Sequence, residues 1–358
     1  MLIPYPYQSH SIQKIEDFVR YLFVDVMFEA QNHKSQSLQD VILKDYKPLF
    51  GYSSIKSRKT RKKAAFPEAA ENLYDAFKNL QNNQIEALKK AFDKNVQIRE
   101  ICEGKVAPVR FSDLEQVIPN IGNQNFLDGL QKFCEMLYTR CLDLKAFEKK
   151  FGILKDYYDG LVDDDDVCHC CGIEPILTRY NSKRDAFDHY ISKAKYPFVS
   201  VNFRNLIPIC YTCNSTYKNQ QDTVYYIKNG VEKQRKVFYP YYESNETPYK
   251  IEIGVQLKCC YQFNGIKMDD IQIDYKCKGH EEALKSWKAL YGIDERYKAY
   301  CLSKKSKTFI KELYDKSKVD KDFVKKLFEF DGSMPLVNAN FLRLPFAKAV
   351  FDSFPKNV

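Results

Sequence analysis

Two pairs of cysteines have the spacing of a metal site. Cys168 and Cys171 form one C-x-x-C pair, Cys210 and Cys213 form a second, and 38 residues separate the pairs. A tight turn points both sulfurs of such a pair at one ion, and two turns complete a tetrahedron with no position left for water. The sequence therefore predicts one structural Zn2+ held by four thiolates, with Gly172 allowing the sharp turn after the first pair.

The segment between the pairs carries a second group of residues that could do chemistry. Asp188 and His189 are adjacent at the end of a predicted strand, and Asn214 follows the second cysteine pair at the start of a predicted helix. Successive strand residues point to opposite faces, so Asp188 and Asn214 can offer oxygen ligands to a hard divalent cation while His189 stays free as a base. A neutral histidine beside a bound cation meets the needs of phosphodiester hydrolysis.

The order of these residues resembles the HNH nuclease family. The family pattern is similar to C-x-x-C, then D-H-x-x-x-K, then N-L-x-x-x-C-x-x-C-N-x-x-x-K, and the chain shows it within residues 168–222 of its 358. The resemblance implies that His189 is the general base that activates water and that Asp188 and Asn214 hold one catalytic Mg2+ or Mn2+. It also implies that Asn205 is a structural brace, which fixes the loop and thereby the base.

Two lysines of the chain also match the family pattern, and one residue differs from it. Lys193 and Lys218 match the two lysines of the pattern, and we predict that both contact nucleic acid. Lys218 follows Asn214 by four residues, so it should share its helix face and reach a phosphate, although an ordinary exposed lysine remains the alternative. Asn214 stands where many family members have a second histidine, which makes the site richer in oxygen and favours Mg2+ over Zn2+ or Ni2+. His169, inside the first knuckle, is expected to be a spacer.

The elements that must position these residues indicate an α+β chain of three parts. Residues 1–161 repeat apolar residues at spacings of three and four and predict a helical domain. Residues 162–222 predict the ββα-metal HNH nuclease module with its zinc knuckles. Residues 223–358 predict a mixed strand and helix region: Asn229-Gly230 signals a β-hairpin, two further strand-like runs follow it, and helical periodicity returns after Gly279.

Composition narrows the class of protein. The net charge of +9 suits a nucleic-acid partner without requiring one. Six of the eight residues from Lys56 to Lys63 are basic, which indicates either a solvated loop or a loop that contacts phosphates. Neither a signal peptide nor a membrane-spanning segment is indicated, so a cytoplasmic location without a membrane partner is expected.

The remaining cysteines are expected to be reduced. A disulfide framework is typical of short secreted chains, and free cysteine usually behaves as a small buried hydrophobe. Cys170, between the first pair, could replace a neighbour as a ligand. The eight cysteines outside the pairs are Cys102, Cys134, Cys141, Cys170, Cys259, Cys260, Cys277 and Cys301.

Three functions are compatible with this pattern. The leading hypothesis is a metal-dependent HNH endonuclease that hydrolyses DNA, with nicking as its elementary act and double-strand cleavage needing two passes or a dimer. An RNA-cleaving HNH nuclease is an alternative. So is a non-catalytic, zinc-dependent nucleic-acid-binding module, which predicts loss of the Asp-His-Asn set that is intact here.

The regions outside residues 162–222 show no recognisable DNA-reading element and no nucleotide-binding loop. Large helical and mixed regions around one HNH core look like the effector nucleases of bacterial anti-phage defence systems. We therefore expect a regulatory protein partner, such as an ATPase sensor, or a second copy of the chain. The helical faces of the N-terminal part and the strand edges after Asn229-Gly230 are the expected contact surfaces.

Overall fold

A computed structural model describes six stretches of the chain. They are residues 1–51, 65–119, 125–163, 165–258, 265–318 and 321–353. The basic run 56–63, Cys259 and Cys260 lie outside the described residues.

Helices occupy both ends of the chain, with short strands between them. The α-helices are α1 (Lys14–Arg20), α2 (Leu38–Val41), α3 (Ala65–Phe77), α4 (Asn82–Asn95), α5 (Ile98–Cys102), α6 (Phe111–Leu114), α7 (Phe126–Thr139), α8 (Lys145–Phe151), α9 (Leu154–Val162), α10 (Glu281–Tyr291), α11 (Ile293–Cys301), α12 (Lys304–Ser317), α13 (Lys321–Gly332) and α14 (Asn340–Ser353). Two π-helices span Tyr21–Met27 and Thr212–Lys218. This distribution confirms the α+β class and the helical N-terminal part.

The strands pair two by two within the described ranges. They are β1 (Tyr5–Pro6), β2 (Phe187–His189), β3 (Leu206–Pro208), β4 (Tyr225–Lys228), β5 (Val231–Gln234), β6 (Tyr241–Tyr242), β7 (Glu252–Leu257) and β8 (Ile271–Lys276). The pairs are β1 with β6, β2 with β3, β4 with β5 and β7 with β8; the first is parallel and the other three are antiparallel. None of the helices in the described ranges is long and apolar enough to cross a membrane.

The hairpin predicted at Asn229-Gly230 is confirmed as β4 and β5. Lys228 pairs with Val231, so the two residues between them form the turn. Asn229 and Gly230 have φ angles of 52° and 76°, the left-handed conformation that a two-residue type I′ turn requires at both positions. The two later strand-like runs are likewise confirmed as β7 and β8.

The helical N-terminal part packs directly on the segment between the cysteine pairs. Phe198, from that segment, lies with its ring centre 4.9 Å from Phe23 and 5.2 Å from Phe92. Asn95 of α4 donates a hydrogen bond of 3.1 Å to the carbonyl of Pro197. The long helical faces therefore bury their apolar side on the segment that carries the candidate site.

The first residues of the chain contact residues beyond the boundaries expected at 161 and 222. The amide of Leu2 donates to the carbonyl of His169 at 3.0 Å, and the Tyr5 hydroxyl donates to the carbonyl of Pro208 at 3.1 Å. Tyr5 also pairs with Tyr241 across β1 and β6. One continuous cluster of buried apolar side chains runs through all three parts. The site is thus held by elements from the whole chain.

Candidate metal centre and active site

The two C-x-x-C pairs meet at one place. All four sulfurs are buried and lie within 4.8 Å of one another. A tetrahedron with Zn–S bonds of about 2.3 Å places its sulfurs roughly 3.8 Å apart, so the cluster has the size of a zinc site. The structure therefore confirms that Cys168, Cys171, Cys210 and Cys213 form one group that could hold a metal ion.

The turn after the first pair has the conformation expected of a knuckle. The amide of Gly172 donates to the carbonyl of Cys168 at 2.7 Å, and Gly172 has a φ of 69°. The side chains of Leu2 and Phe341 lie where a Cβ at this position would be. Both the backbone angle and the close packing therefore require glycine here.

Two aromatic side chains from the C-terminal helices hold the backbone of the first knuckle. Trp287 of α10 donates its indole N–H to the carbonyl of Cys170 at 2.8 Å, and Tyr297 of α11 donates its hydroxyl to the carbonyl of Cys171 at 2.7 Å. Both rings are almost fully buried. Sequence reasoning missed them, because an aromatic residue on an apolar helix face predicts core packing and nothing more.

Arg296 of α11 brings a buried positive charge to the thiols. Its Nη1 lies 3.2 Å from the sulfur of Cys213, and the side chain is almost fully buried. Burial alone would lower the pKa of Arg296, but Cys171 and Cys213 raise it overall. A tetrathiolate that holds a divalent cation carries net negative charge, which this guanidinium would offset.

The histidine of the first knuckle has structural contacts. The Nε2 of His169 lies 2.8 Å from a carboxylate oxygen of Asp165, and its ring stacks on Tyr5 at 4.0 Å. These contacts fit the expected role of a spacer.

The order strand, loop, strand, helix is found between the cysteine pairs. Strand β2 ends at His189 and pairs antiparallel with β3, and His189 lies opposite Leu206. The π-helix Thr212–Lys218 follows β3 and includes Cys213 and Asn214. The module therefore brings the Asp-His dipeptide and the asparagine onto neighbouring elements.

His189 is held as a neutral imidazole with a defined tautomer. Its Nε2 lies 2.8 Å from the carbonyl oxygen of Ser200, which can only accept, so Nε2 carries the hydrogen and Nδ1 keeps its lone pair. The residue is 9 % exposed. Burial, reinforced by the charges of Lys193 and Lys218, lowers the pKa of His189 to about 3. The ring is therefore uncharged at neutral pH.

Tyr138 of α7 covers part of this imidazole. The two ring centres lie 4.4 Å apart and the rings are nearly perpendicular, at 82°. The Lys193 ammonium lies 4.9 Å from the centre of the same tyrosine ring, which places this lysine near His189. Sequence reasoning missed Tyr138, because its helical spacing indicated only a packed face.

Lys218 occupies a different place from the one expected. Its ammonium donates to both carboxylate oxygens of Asp188, each at 2.7 Å, and to the carbonyl of His189, also at 2.7 Å. Asp188 is 5 % exposed and Lys218 is 4 % exposed. A buried carboxylate needs a partner of opposite charge, and Lys218 supplies it from the end of the π-helix. With all three ammonium protons used inside the protein, Lys218 does not present itself to a phosphate.

Asn214 lies one turn before Lys218. The amide of Asn219 donates to the carbonyl of Asn214 at 2.8 Å, the five-residue step of a π-helix, which places residues four and five apart on one side. The side chain of Asn214 makes no hydrogen bond to the described residues. Each oxygen of Asp188 keeps a second lone pair beside its bond to Lys218. Oxygen donors are therefore available for the Mg2+ or Mn2+ expected at Asp188 and Asn214, which remains a prediction.

Asn205 bridges the two ends of the loop that follows β2. Its Oδ1 accepts from the amide of Ile191 at 2.7 Å, and its Nδ2 donates to the carbonyls of Ile191 at 2.9 Å and Val199 at 3.1 Å. The side chain is fully buried. Because Ser200 follows Val199, these bonds also fix the carbonyl that orients His189. They are the bonds that a bracing residue would make.

No protein-family model, no curated protein and no solved structure matches the chain.

Proposed function

We propose that this chain is a metal-dependent HNH endonuclease that hydrolyses phosphodiester bonds in DNA. The observation that carries the proposal is the state of His189. Its Nε2–H is committed to the carbonyl of Ser200, which leaves Nδ1 as the lone pair that can take a proton from water. A neutral, oriented imidazole that directly follows a carboxylate residue in the chain supports this role, because water activation at a phosphodiester needs a base and a nearby metal ligand.

The low basicity of this imidazole has to change when substrate binds. With a pKa of about 3, His189 is a weak base in the free protein. Burial lowers this pKa most and the charge of Lys193 lowers it further, and a phosphodiester placed beside Lys193 opposes the effect of that charge. The substrate itself therefore raises the pKa of the base that acts on it.

The two expected metals have different tasks. Asp188 and Asn214 would hold Mg2+ or Mn2+, which supplies charge stabilisation for the scissile phosphate and the departing oxygen. The four cysteines would hold Zn2+, since four thiolates are a donor set typical of a closed structural zinc site. Zinc then supports folding and leaves the chemistry to the residues around His189.

The proposal is tested with the whole chain and three substrates. Purified protein and the variant His189→Ala are incubated with supercoiled plasmid, a linear duplex and RNA, each with Mg2+, Mn2+ or EDTA. We expect cation-dependent nicking of the plasmid, reduced by about 10² to 10⁴ in the variant because the general base is lost. Cleavage of RNA alone would establish the RNA-cleaving alternative. Tight DNA binding without cleavage under any condition would establish the binding module instead.

A further inference from the structure

The hairpin β4–β5 projects as a two-stranded ribbon directly after the nuclease module. Its strands pair only with each other among the described residues, so both outer edges are free. Most of its residues from Ile227 to Lys233 are exposed. We propose that this hairpin is a β-ribbon that enters a groove of duplex DNA and presents the duplex to the nuclease site. The choice of DNA as its ligand rests on the function proposed above.

One face of the ribbon is basic. Tyr226 pairs with Lys233 across the strands, and Lys228 follows Tyr226 by two residues, so all three share a face. Arg235 follows Lys233 by two residues, and its guanidinium lies 4.6 Å from the centre of the Tyr226 ring. Lys228 and Lys233 have no ion-pair partner within the described stretches, and both are exposed. This face therefore presents a row of basic side chains, of which Lys228 and Lys233 are not paired with an acidic residue in the described stretches.

The opposite face is bound to the rest of the protein. Arg110, just before α6, pairs with Glu232 at 2.8 Å and lies 4.1 Å from the centre of the Tyr225 ring. Gln234 donates to the carbonyl of Val106 at 2.8 Å. The ribbon is therefore a braced element whose free side is the basic one.

The root of the ribbon is tied to the loop that follows the base. Thr223 donates to the carbonyl of Tyr190 at 2.6 Å, and Tyr190 directly follows His189. Asp222 accepts from the hydroxyl of Tyr196 at 2.9 Å and from the amide of Val224 at 2.8 Å. These bonds fix the ribbon relative to His189, so a duplex that binds one is held at a set position from the other.

The shape and chemistry of the ribbon favour a nucleic-acid groove over a protein strand. The major groove is about 12 Å wide and admits a two-stranded ribbon. Lysines on the free face meet the phosphates, which attract them through counterion release. Val231, which pairs with Lys228 and shares its face, is 58 % exposed, and an apolar side chain there can contact thymine methyl groups. A strand of another protein that paired with an edge of the ribbon would bind through backbone hydrogen bonds. Such pairing would not account for the basic face.

The test measures DNA binding separately from cleavage. All variants carry His189→Ala, so that a fluorescent duplex of roughly 30 base pairs, about three helical turns, is bound and not cut. Lys228→Gln with Lys233→Gln should weaken binding about tenfold or more at 0.15 M salt and lower the slope of log affinity against log salt by about 1.8, since two phosphate contacts are lost. Zinc content and thermal stability should stay unchanged.

The matched control removes the same charge elsewhere. Lys304 and Lys305 are exposed at the start of α12, and replacing both by Gln should leave affinity and salt slope unchanged. Equal effects of the two double variants would overturn the proposal, because only net charge would then matter. An unchanged DNA affinity of the hairpin variant would also overturn the proposal. The same holds if sedimentation shows that this variant loses self-association while its DNA affinity is unchanged. If the wild-type chain binds through the hairpin yet never cleaves, the ribbon stands and the nuclease proposal fails.

Discussion

The neutral state of His189 makes the folded chain sensitive to acid. Its pKa is about 3 in the folded chain, against about 6.5 in an unfolded one. Between these values only the unfolded chain takes up the proton, so the free energy of unfolding decreases as the pH falls below about 6.5, by about 1.4 kcal/mol per pH unit. Urea unfolding near pH 7.5 and near pH 5.5 checks this: His189→Gln should lose about 1.4 kcal/mol less than the wild type between the two conditions. An equal loss in both proteins would contradict the buried neutral imidazole.

Among the site residues, Lys218 is the one whose position in the structure differs most from the position expected from the sequence. The sequence placed a lysine one turn after Asn214 and suggested a phosphate contact, whereas the structure places it in a buried pair with Asp188. Lys218→Met should lower the free energy of unfolding by about 3 to 5 kcal/mol, because it leaves a buried carboxylate without a partner. Adding Asp188→Leu should restore much of that loss. The salt dependence of DNA binding should not change in either protein, and a slope reduced by about 0.9 would instead identify Lys218 as a phosphate ligand.

Among the elements, the zinc knuckles should decide the stability of the module. Cys210 supplies one of four clustered sulfurs, and its thiol also accepts from the amide of Cys213 at 3.4 Å. Cys210→Ser should release the metal and destabilise the segment between the pairs, since an open tetrahedron loses affinity and the short strands β2 and β3 add little. Elemental analysis and thermal unfolding measure both effects. Cys134→Ser, at a buried cysteine far from the pairs in sequence, is the control that should keep its metal.

Short sequence motifs predicted the hairpin and the cysteine knuckles. Contacts between residues far apart in the sequence could not be predicted. Asn229-Gly230 specified its turn because both residues tolerate positive φ, and the cysteine spacing specified the knuckles. The pairing of β1 with β6 joins residues more than two hundred positions apart, and two-residue strands leave no periodic signal. The same holds for Trp287, whose bond to the first knuckle depends on tertiary packing alone.

For the whole molecule, the helical part and the candidate site around His189 form one structure. Helix α7 packs with α3 in the helical part and ends beside His189, against which Tyr138 lies. The ring of Tyr138 leaves little room for a phosphodiester beside His189 until the contact between the two rings loosens. We therefore expect the regulatory partner proposed from the sequence to act through the helical part, by moving α7 away from the site.

This view predicts that Tyr138 slows nicking by the lone chain without abolishing it. Tyr138→Ala removes the ring that packs on the imidazole, so it should raise cation-dependent nicking by the purified chain and make its expression toxic to cells that tolerate the wild type. Adding His189→Ala should abolish both effects, because the gain depends on the base. Tyr138→Phe, which keeps the ring, is the matched control and should behave as the wild type. Reduced nicking by Tyr138→Ala at unchanged stability would show the opposite: the tyrosine then positions the base, and the helical part assists the chemistry it was expected to restrain.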